Sequence, residues 1–321
     1  MKRKILLFVI RTVVSVFLMG FLLFNLGKEN LLGFPSYLNN ASYIFLALSI
    51  LTFIATVTLG AVRWGKLLEV QDIKFKFLSI LQLTFIGFFF SNFLPGLVAG
   101  DAVKLFYTAK NTRNTVGTLA SILLDRILGI SALLVIVVFA LFFSFNIPEI
   151  KKISLFVFIL FILFLIAVFL FFNLKSSSIL RRIYKISVFN LGNKIKTFKN
   201  SIVVYRDKKN ILAYAFLLAL VIQFLMVAVC YFMGLFFNLR VPFHYFLLFI
   251  PIIQLITFLP ITIGGIGTRE WTFVLLFTTA SGLISKMDAF ALSIGFYLAT
   301  LITSLPGAIA YLLIGGELKN K

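Results

Sequence analysis

Six ionisable residues interrupt apolar stretches of this chain, and they come in a pattern. Asp101 and Lys104 follow Ala99-Gly100, Asp125-Arg126 breaks the run 115–145, and Arg269-Glu270 follows Gly264-Gly265-Ile266-Gly267-Thr268. A charge at membrane depth costs about 2.5–3.5 kcal/mol on insertion scales, so such residues are paired or line a functional polar path. Arg grips phosphate oxygens through two parallel hydrogen bonds, and Lys presents a point charge. The chemistry this set could do is recognition of a phosphate by Lys104, Arg126 and Arg269. Asp101, Asp125 and Glu270 would then balance charge or take a cationic head group. Adjacent helical residues do not face one another, so crosswise pairs are expected, Asp125 with Arg269 and Glu270 with Arg126. The other reading is an ion-pair network that serves structure alone.

The residues around these charges repeat. Phe93-Leu94-Pro95-Gly96-Leu97-Val98-Ala99-Gly100-Asp101-Ala102-Val103-Lys104 aligns without a gap on Phe258-Leu259-Pro260-Ile261-Thr262-Ile263-Gly264-Gly265-Ile266-Gly267-Thr268-Arg269, with Lys104 on Arg269. Pro95 and Pro260 lack a donor and break helices. Gly100, Gly264, Gly265 and Gly267 allow unusual backbone and close approach. Broken backbone at membrane depth is tolerated only inside protein or along a wet cavity, and a helix restarting there offers free amides and a positive dipole end. Two such breaks in corresponding places point to a site between internal repeats. The alternative is a pair of hinges with packing glycines, Lys104 and Arg269 reaching to an interface. Asp101 could cap the helix that restarts, or serve ligand or proton coupling. Asn92 could satisfy broken backbone or touch a head group.

The elements that must position these residues are membrane helices. The chain is 61% hydrophobic and 12% charged, with mean hydropathy +1.11, which excludes an ordinary soluble domain. Apolar spans fall at about 5–26, 43–62, 77–92, 115–145, 153–173, 211–237, 243–262, 271–284 and 289–314. The expectation is an all-α polytopic protein of about eight transmembrane helices, forming one domain over 1–321, with broken or re-entrant segments and an inverted repeat at 92–104 and 257–270. The 41 Phe residues are read as apolar filler facing lipid.

The net charge of +20 sits in loops, which favours an anionic leaflet over nucleic acid. The connection 174–210 holds ten cations and one acid, and belongs in the cytoplasm with 63–76 and both termini. If 77–92 crossed fully, 174–210 would land outside. A hairpin over 77–104 that dips in and returns restores the rule. The second motif is then approached from the opposite side. Cys230 has no second cysteine to pair with, and one His rules out a Cys/His metal cluster. No cofactor is expected. Met1-Lys2-Arg3-Lys4 and the run behind it read as an uncleaved first span, with Arg11 snorkelling. Trp64 and Trp271 read as interfacial anchors, and His244 as a belt residue.

Asn92-Phe93-Leu94-Pro95-Gly96 with Gly100-Asp101, Asp125-Arg126 with Gly129, and Leu259-Pro260 with Gly264-Gly265-Ile266-Gly267-Thr268-Arg269-Glu270 resemble the motifs of the lysylphosphatidylglycerol synthase transmembrane region, also called the flippase-like or UPF0104 membrane proteins. The resemblance covers essentially the whole chain. Members often carry Glu-Arg where this chain has Asp125-Arg126, and Gly-Gly-Asp where it has Ala99-Gly100-Asp101. The resemblance implies a helical unit that moves a lipid between leaflets of the cytoplasmic membrane. Its cargo would be a phospholipid, an aminoacylated phospholipid or a polyprenyl-phosphate-linked lipid. Asn92, Gly100, Asp101, Lys104, Asp125, Arg126, Gly264, Gly265, Gly267, Arg269 and Glu270 would line the site. In larger relatives such a region is joined to a soluble aminoacyl-transferase domain. The chain stops at Lys321, so head-group transfer by this chain alone is not expected. Two alternatives remain: a membrane enzyme or enzyme subunit using Asp125 or Glu270 as a base, and a scaffold for a separate lipid-modifying enzyme.

Overall fold

The computed structural model describes residues 2–27, 38, 41–93, 99–142, 155, 158–159, 161–166, 191–258, 262 and 264–319. Pro95, Pro260, most of 153–173 and the stretch 174–190 lie outside the described residues, as does the side chain of Arg11. The helices are α1 (Lys2–Leu26), α2 (Tyr43–Glu69), α3 (Phe77–Phe93), α4 (Ala99–Thr112), α5 (Thr115–Phe142), α6 (Leu191–Arg206), α7 (Lys209–Phe236), α8 (Phe243–Phe258), α9 (Thr268–Val274) and α10 (Lys286–Lys319). A π-helical turn, Leu275–Ala280, extends α9. Among the described residues there is no strand. Four helices, α2, α5, α7 and α10, are long and apolar enough to cross a membrane, and parts of α1, α3 and α8 are shorter apolar helices.

The bundle has two distinguishable ends. At one, Asn114 Nδ2 donates to the Gln71 carbonyl at 3.4 Å, Gln71 Nε2 to the Ser201 carbonyl at 2.8 Å, and the Tyr205 hydroxyl to the Leu67 carbonyl at 2.8 Å. The chain therefore returns, after α3 and α4, to the level from which it left α2. The helices α3 and α4 form a helical hairpin, whose connecting residues 94–98 lie outside the described residues, and 113–114 shares an end with 70–76 and α6. At the opposite end, the amide of Ser42 donates to the carbonyl of Phe236 at 3.1 Å, so α2 and α7 run antiparallel along their length. Midway, Ser49 Oγ donates to the Val229 carbonyl at 3.0 Å and seals the pair.

A second hairpin enters from that opposite end. Phe246 and Phe249 of α8 meet Phe277 of the returning π-turn, with ring centroids 5.3 and 5.0 Å apart. Its turn needs left-handed backbone at Gly264 (φ 59°), Gly265 (φ 78°) and Gly267 (φ 84°), which only glycine adopts readily. The turn of the second hairpin meets the end of α3: a Cβ built on Gly264 would lie 3.5 Å from the Asn92 carbonyl. The first hairpin closes by small-residue packing. A Cβ on Gly100 would collide with the Gly87 carbonyl, and Ser91 Oγ donates to that same carbonyl at 2.9 Å. Lipid tails are as apolar as the helices, so close backbone approach and van der Waals fit drive such association.

Phenylalanine does more than face lipid. Phe53, Phe246, Phe249, Phe273, Phe277 and Phe296 are buried in the largest core cluster, between α2, α8, α9 and α10. Offset and edge-on ring pairs of this kind add about 0.5–1.5 kcal/mol each beyond their buried area. The basic connection also differs from a simple loop. Residues 191–206 form α6, whose Phe198, Ile202 and Tyr205 dock on Leu67, Val70 and Ala215. Burial raises the pKa of the Tyr205 hydroxyl and keeps it a donor.

Candidate functional site

Against the first hairpin lies a cavity of about 310 Å³. Six helices line it: α2 through Thr56, Gly60 and Arg63, α3 through Thr84, Gly87 and Ser91, α4 through Gly100, Asp101 and Lys104, α5 through Asp125, Arg126 and Gly129, α7 through Gln223, and α8 through Gln254. Glycine makes the space. A Cβ on Gly60 would meet nothing within 4 Å, and one on Gly129 would meet the Arg63 guanidinium nitrogens at 3.9 Å. On an ideal helix, Asp125 sits about 15 Å from the start of α5, well inside the bundle.

Three cations face two carboxylates here. Arg63 Nε donates to Asp125 Oδ1 at 2.6 Å, and Arg126 Nε to Asp101 Oδ2 at 2.7 Å. Both lengths are those of charge-assisted bonds. Lys104 stands apart: its Nζ lies 4.8 Å from the centre of the Trp64 ring, and it joins no ion pair within 4 Å among the described residues. Lys104 also lines the cavity, with its ammonium held on the aromatic face.

The pairing differs from expectation. Asp125 pairs with Arg63, not Arg269, and Arg126 pairs with Asp101, not Glu270. Asp101 lies in the first turn of α4, yet its carboxylate spans to α5. Trp64, expected at an interface, is fully buried, with Nε1 donating to Ser121 Oγ at 3.2 Å. The reason is that α2 continues to Glu69, past the end of its apolar run, and carries Arg63 and Trp64 inward. Trp271 is part-buried and stacks on Phe21 of α1.

The second motif makes a different object. Glu270 Oε2 accepts from the Gly267 amide at 2.6 Å, and Oε1 accepts from Arg269 Nε at 3.0 Å. Arg269 also lies over the Tyr297 ring at 4.1 Å. Glu270 is fully buried and Arg269 nearly so. Neighbours in sequence do meet here, because Glu270 folds back as the N3 partner of a capping box and draws the guanidinium with it. Gly264, Gly265, Gly267, Arg269 and Glu270 do not line the cavity, and a Cβ on Gly267 would crowd Leu18 of α1 at 2.9 Å. Asn92 lies at the end of α3, against Gly264 of the second turn, rather than in the cavity wall, its Nδ2 buried without a partner among the described residues.

Among the lining residues missed from the sequence are one charge and two amides, Arg63, Gln223 and Gln254. Arg63 looked like a loop cation, although Leu67, Leu68 and Val70 continue the apolar helical spacing past it. Gln223 and Gln254 are lone polar residues within apolar runs, a signal that was readable. Gln223 Oε1 and Gln254 Nε2 are buried without a hydrogen-bond partner among the described residues. Leaving such a group unpaired costs about 1–3 kcal/mol, and both belong to residues of the cavity wall.

Comparison with known proteins places the chain. The family described as lysylphosphatidylglycerol synthase TM region matches residues 8–307. A UPF0104 membrane protein of Pyrococcus horikoshii is 33% identical over 94 residues, which are 28% of this chain and 28% of that protein. The chain thus spans little more than a quarter of that relative's length in the match. The chain belongs to the lysylphosphatidylglycerol synthase TM region family and is a multi-pass integral membrane protein.

Proposed function

We propose that this chain is a lipid translocase, in which the cavity beside the first hairpin takes the phosphate of a lipid head group during passage between leaflets. The observation that carries the reading is the charge arrangement: three cations against two engaged carboxylates, walled by spanning helices next to a break in the fold. Phosphate binding calls for fixed positive charge and little competing negative charge. Inverted repeats with broken helices around a central site are the form that alternating access takes in other membrane folds. The cargo class is a phospholipid, an aminoacylated phospholipid or a polyprenyl-phosphate-linked lipid.

The end that carries Lys66, Lys74, Lys76, Lys110, Arg113, Lys208 and Lys209 faces the cytoplasm under the positive-inside rule. Both termini are assigned to that side, in the cytoplasmic membrane. The test is a leaflet-resolved assay in proteoliposomes. A fluorescent phospholipid in the inner leaflet should become accessible to an external, membrane-impermeant quencher faster with protein than without. Equal rates with and without folded protein would refute translocation of that lipid.

A further inference from the structure

A second hollow lies on three of the helices that wall the polar cavity. Ile136 and Phe139 of α5, Leu220, Val221 and Phe224 of α7, and Leu247 of α8 enclose a groove of about 360 Å³. The polar cavity uses the same helices through Ile130 and Leu133, through Gln223, and through Gln254. On α5 the two sets follow one another turn by turn, from Ile130 through Leu133 and Ile136 to Phe139. On α7 they share two turns, so one helix separates the polar space from the apolar one. Every residue of the groove is apolar, and Phe139, Val221 and Phe224 are about half exposed.

The dimensions of the groove say what fills it in a bilayer. One turn of a helix with its side chains occupies roughly 400–600 Å³, more than the groove holds, whereas a hydrocarbon chain is far thinner. From Ile130 to Phe139 the track runs about 14 Å along α5. That is close to the depth of one leaflet's acyl layer, half of a roughly 30 Å core. The charges stand at the Ile130 end: Arg126, with Lys104 and Asp125 around the same cavity, lies one turn before Ile130. The track therefore has the order of a lipid molecule, a charged end and then an apolar tail.

We infer that the groove between α5, α7 and α8 seats an acyl chain of the same lipid whose phosphate the cavity takes, and that this lipid passes between bilayer and cavity through the seam of α5 and α7. This rests on the reading of the cavity as a lipid phosphate site and adds a second contact to it, outside the charge cluster.

The probe is phosphatidylglycerol with a photoreactive diazirine halfway along one acyl chain, a minor component of phosphatidylcholine nanodiscs that hold the full chain. After irradiation, labelled residues are mapped by mass spectrometry. Val16 and Phe17 of α1 report contact with bulk lipid: both are exposed, and Val16 lies about 21 Å along α1 against about 18 Å for Val221 along α7. Phe139, Val221 or Phe224 should be labelled about tenfold more than these two, and Lys104→Gln should bring the groove down to the α1 level. Equal labelling of groove and α1 in the wild type means bulk lipid only and overturns the seat. Enrichment that Lys104→Gln leaves unchanged separates groove from cavity and overturns the single-lipid reading.

A second measurement keeps the seat apart from translocation itself. Val221→Trp fills the groove from its open side, and lipid movement in proteoliposomes, normalised to folded protein, should fall about tenfold. Val16→Trp should move lipid at the wild-type rate. If the wild type moves lipid and Val221→Trp matches it, the seat is overturned and the translocase reading stands. If groove labelling responds to Lys104→Gln but the wild type moves no lipid, the seat stands and the translocase reading falls.

Discussion

Lys104 and Arg269 occupy matching positions after two similar breaks, and their surroundings are opposite. Lys104 faces a cavity, rests on an aromatic ring and joins no ion pair among the described residues. Arg269 is buried between Tyr297 and Glu270, and Glu270 also caps the short helix that follows the turn. On the proposed reading, the first hairpin offers charge to a ligand. The second spends its charge on holding its own turn. Matched sequence leaves the cation's surroundings to the neighbours that each copy meets.

Removing Glu270 is the harshest way to break the comparison. Glu270→Ala strands a buried guanidinium and uncaps the turn, so a loss of about 3–5 kcal/mol is expected. Thermal unfolding in detergent should show a collapse of folded yield. Combining it with Arg269→Ala should recover part of the stability, because no charge is left unpaired. If the double variant is no better than the single, the clasp reading of the second motif fails.

The next effect tests the turn of the first hairpin. Gly100→Ala drives a methyl group into the Gly87 backbone, and overpacking of this kind costs about 1–3 kcal/mol. Gly60→Ala is the control: its methyl group enters open cavity space, so stability should be unchanged while lipid binding weakens. Equal destabilisation by the two would contradict the placement of the cavity.

A loss of the same order is expected from Arg63→Gln. It removes one side of a part-buried pair and leaves Asp125 to its remaining neighbours, at about 1–3 kcal/mol. Asp125→Asn added to it should restore stability toward the wild type. Strictly additive losses, read from unfolding midpoints, would show that Arg63 and Asp125 are not coupled.

Much of this contrast was legible in the sequence, and its gaps have physical causes. The two breaks are visible because proline and clustered glycine punctuate apolar runs. The hairpin over 77–104 followed from where the cations had to lie, and Asn114 on Gln71 bears it out. Arg63 was hidden because hydropathy marks where a lipid-facing surface ends, whereas α2 continues as a protein-facing helix to Glu69. The pairing was misread because spacing rules describe side chains on a regular helix. Arg269 and Glu270 sit in the first turn of one, where a capping side chain folds backward. The docking of α6 was readable from Phe198, Ile202 and Tyr205 at helical spacing, but its cations drew attention first.

Lys104→Gln should show the smallest change in stability, within about 0.5 kcal/mol, and the largest change in function. The most direct measurement sets it beside Arg269→Gln in proteoliposomes, with lipid movement normalised to folded protein. The account predicts that Lys104→Gln folds like the wild type and moves lipid little faster than empty liposomes. Whatever fraction of Arg269→Gln folds should move lipid at the wild-type rate. Normal transport by Lys104→Gln, or a well-folded but inactive Arg269→Gln, would contradict the division of labour between the two hairpins.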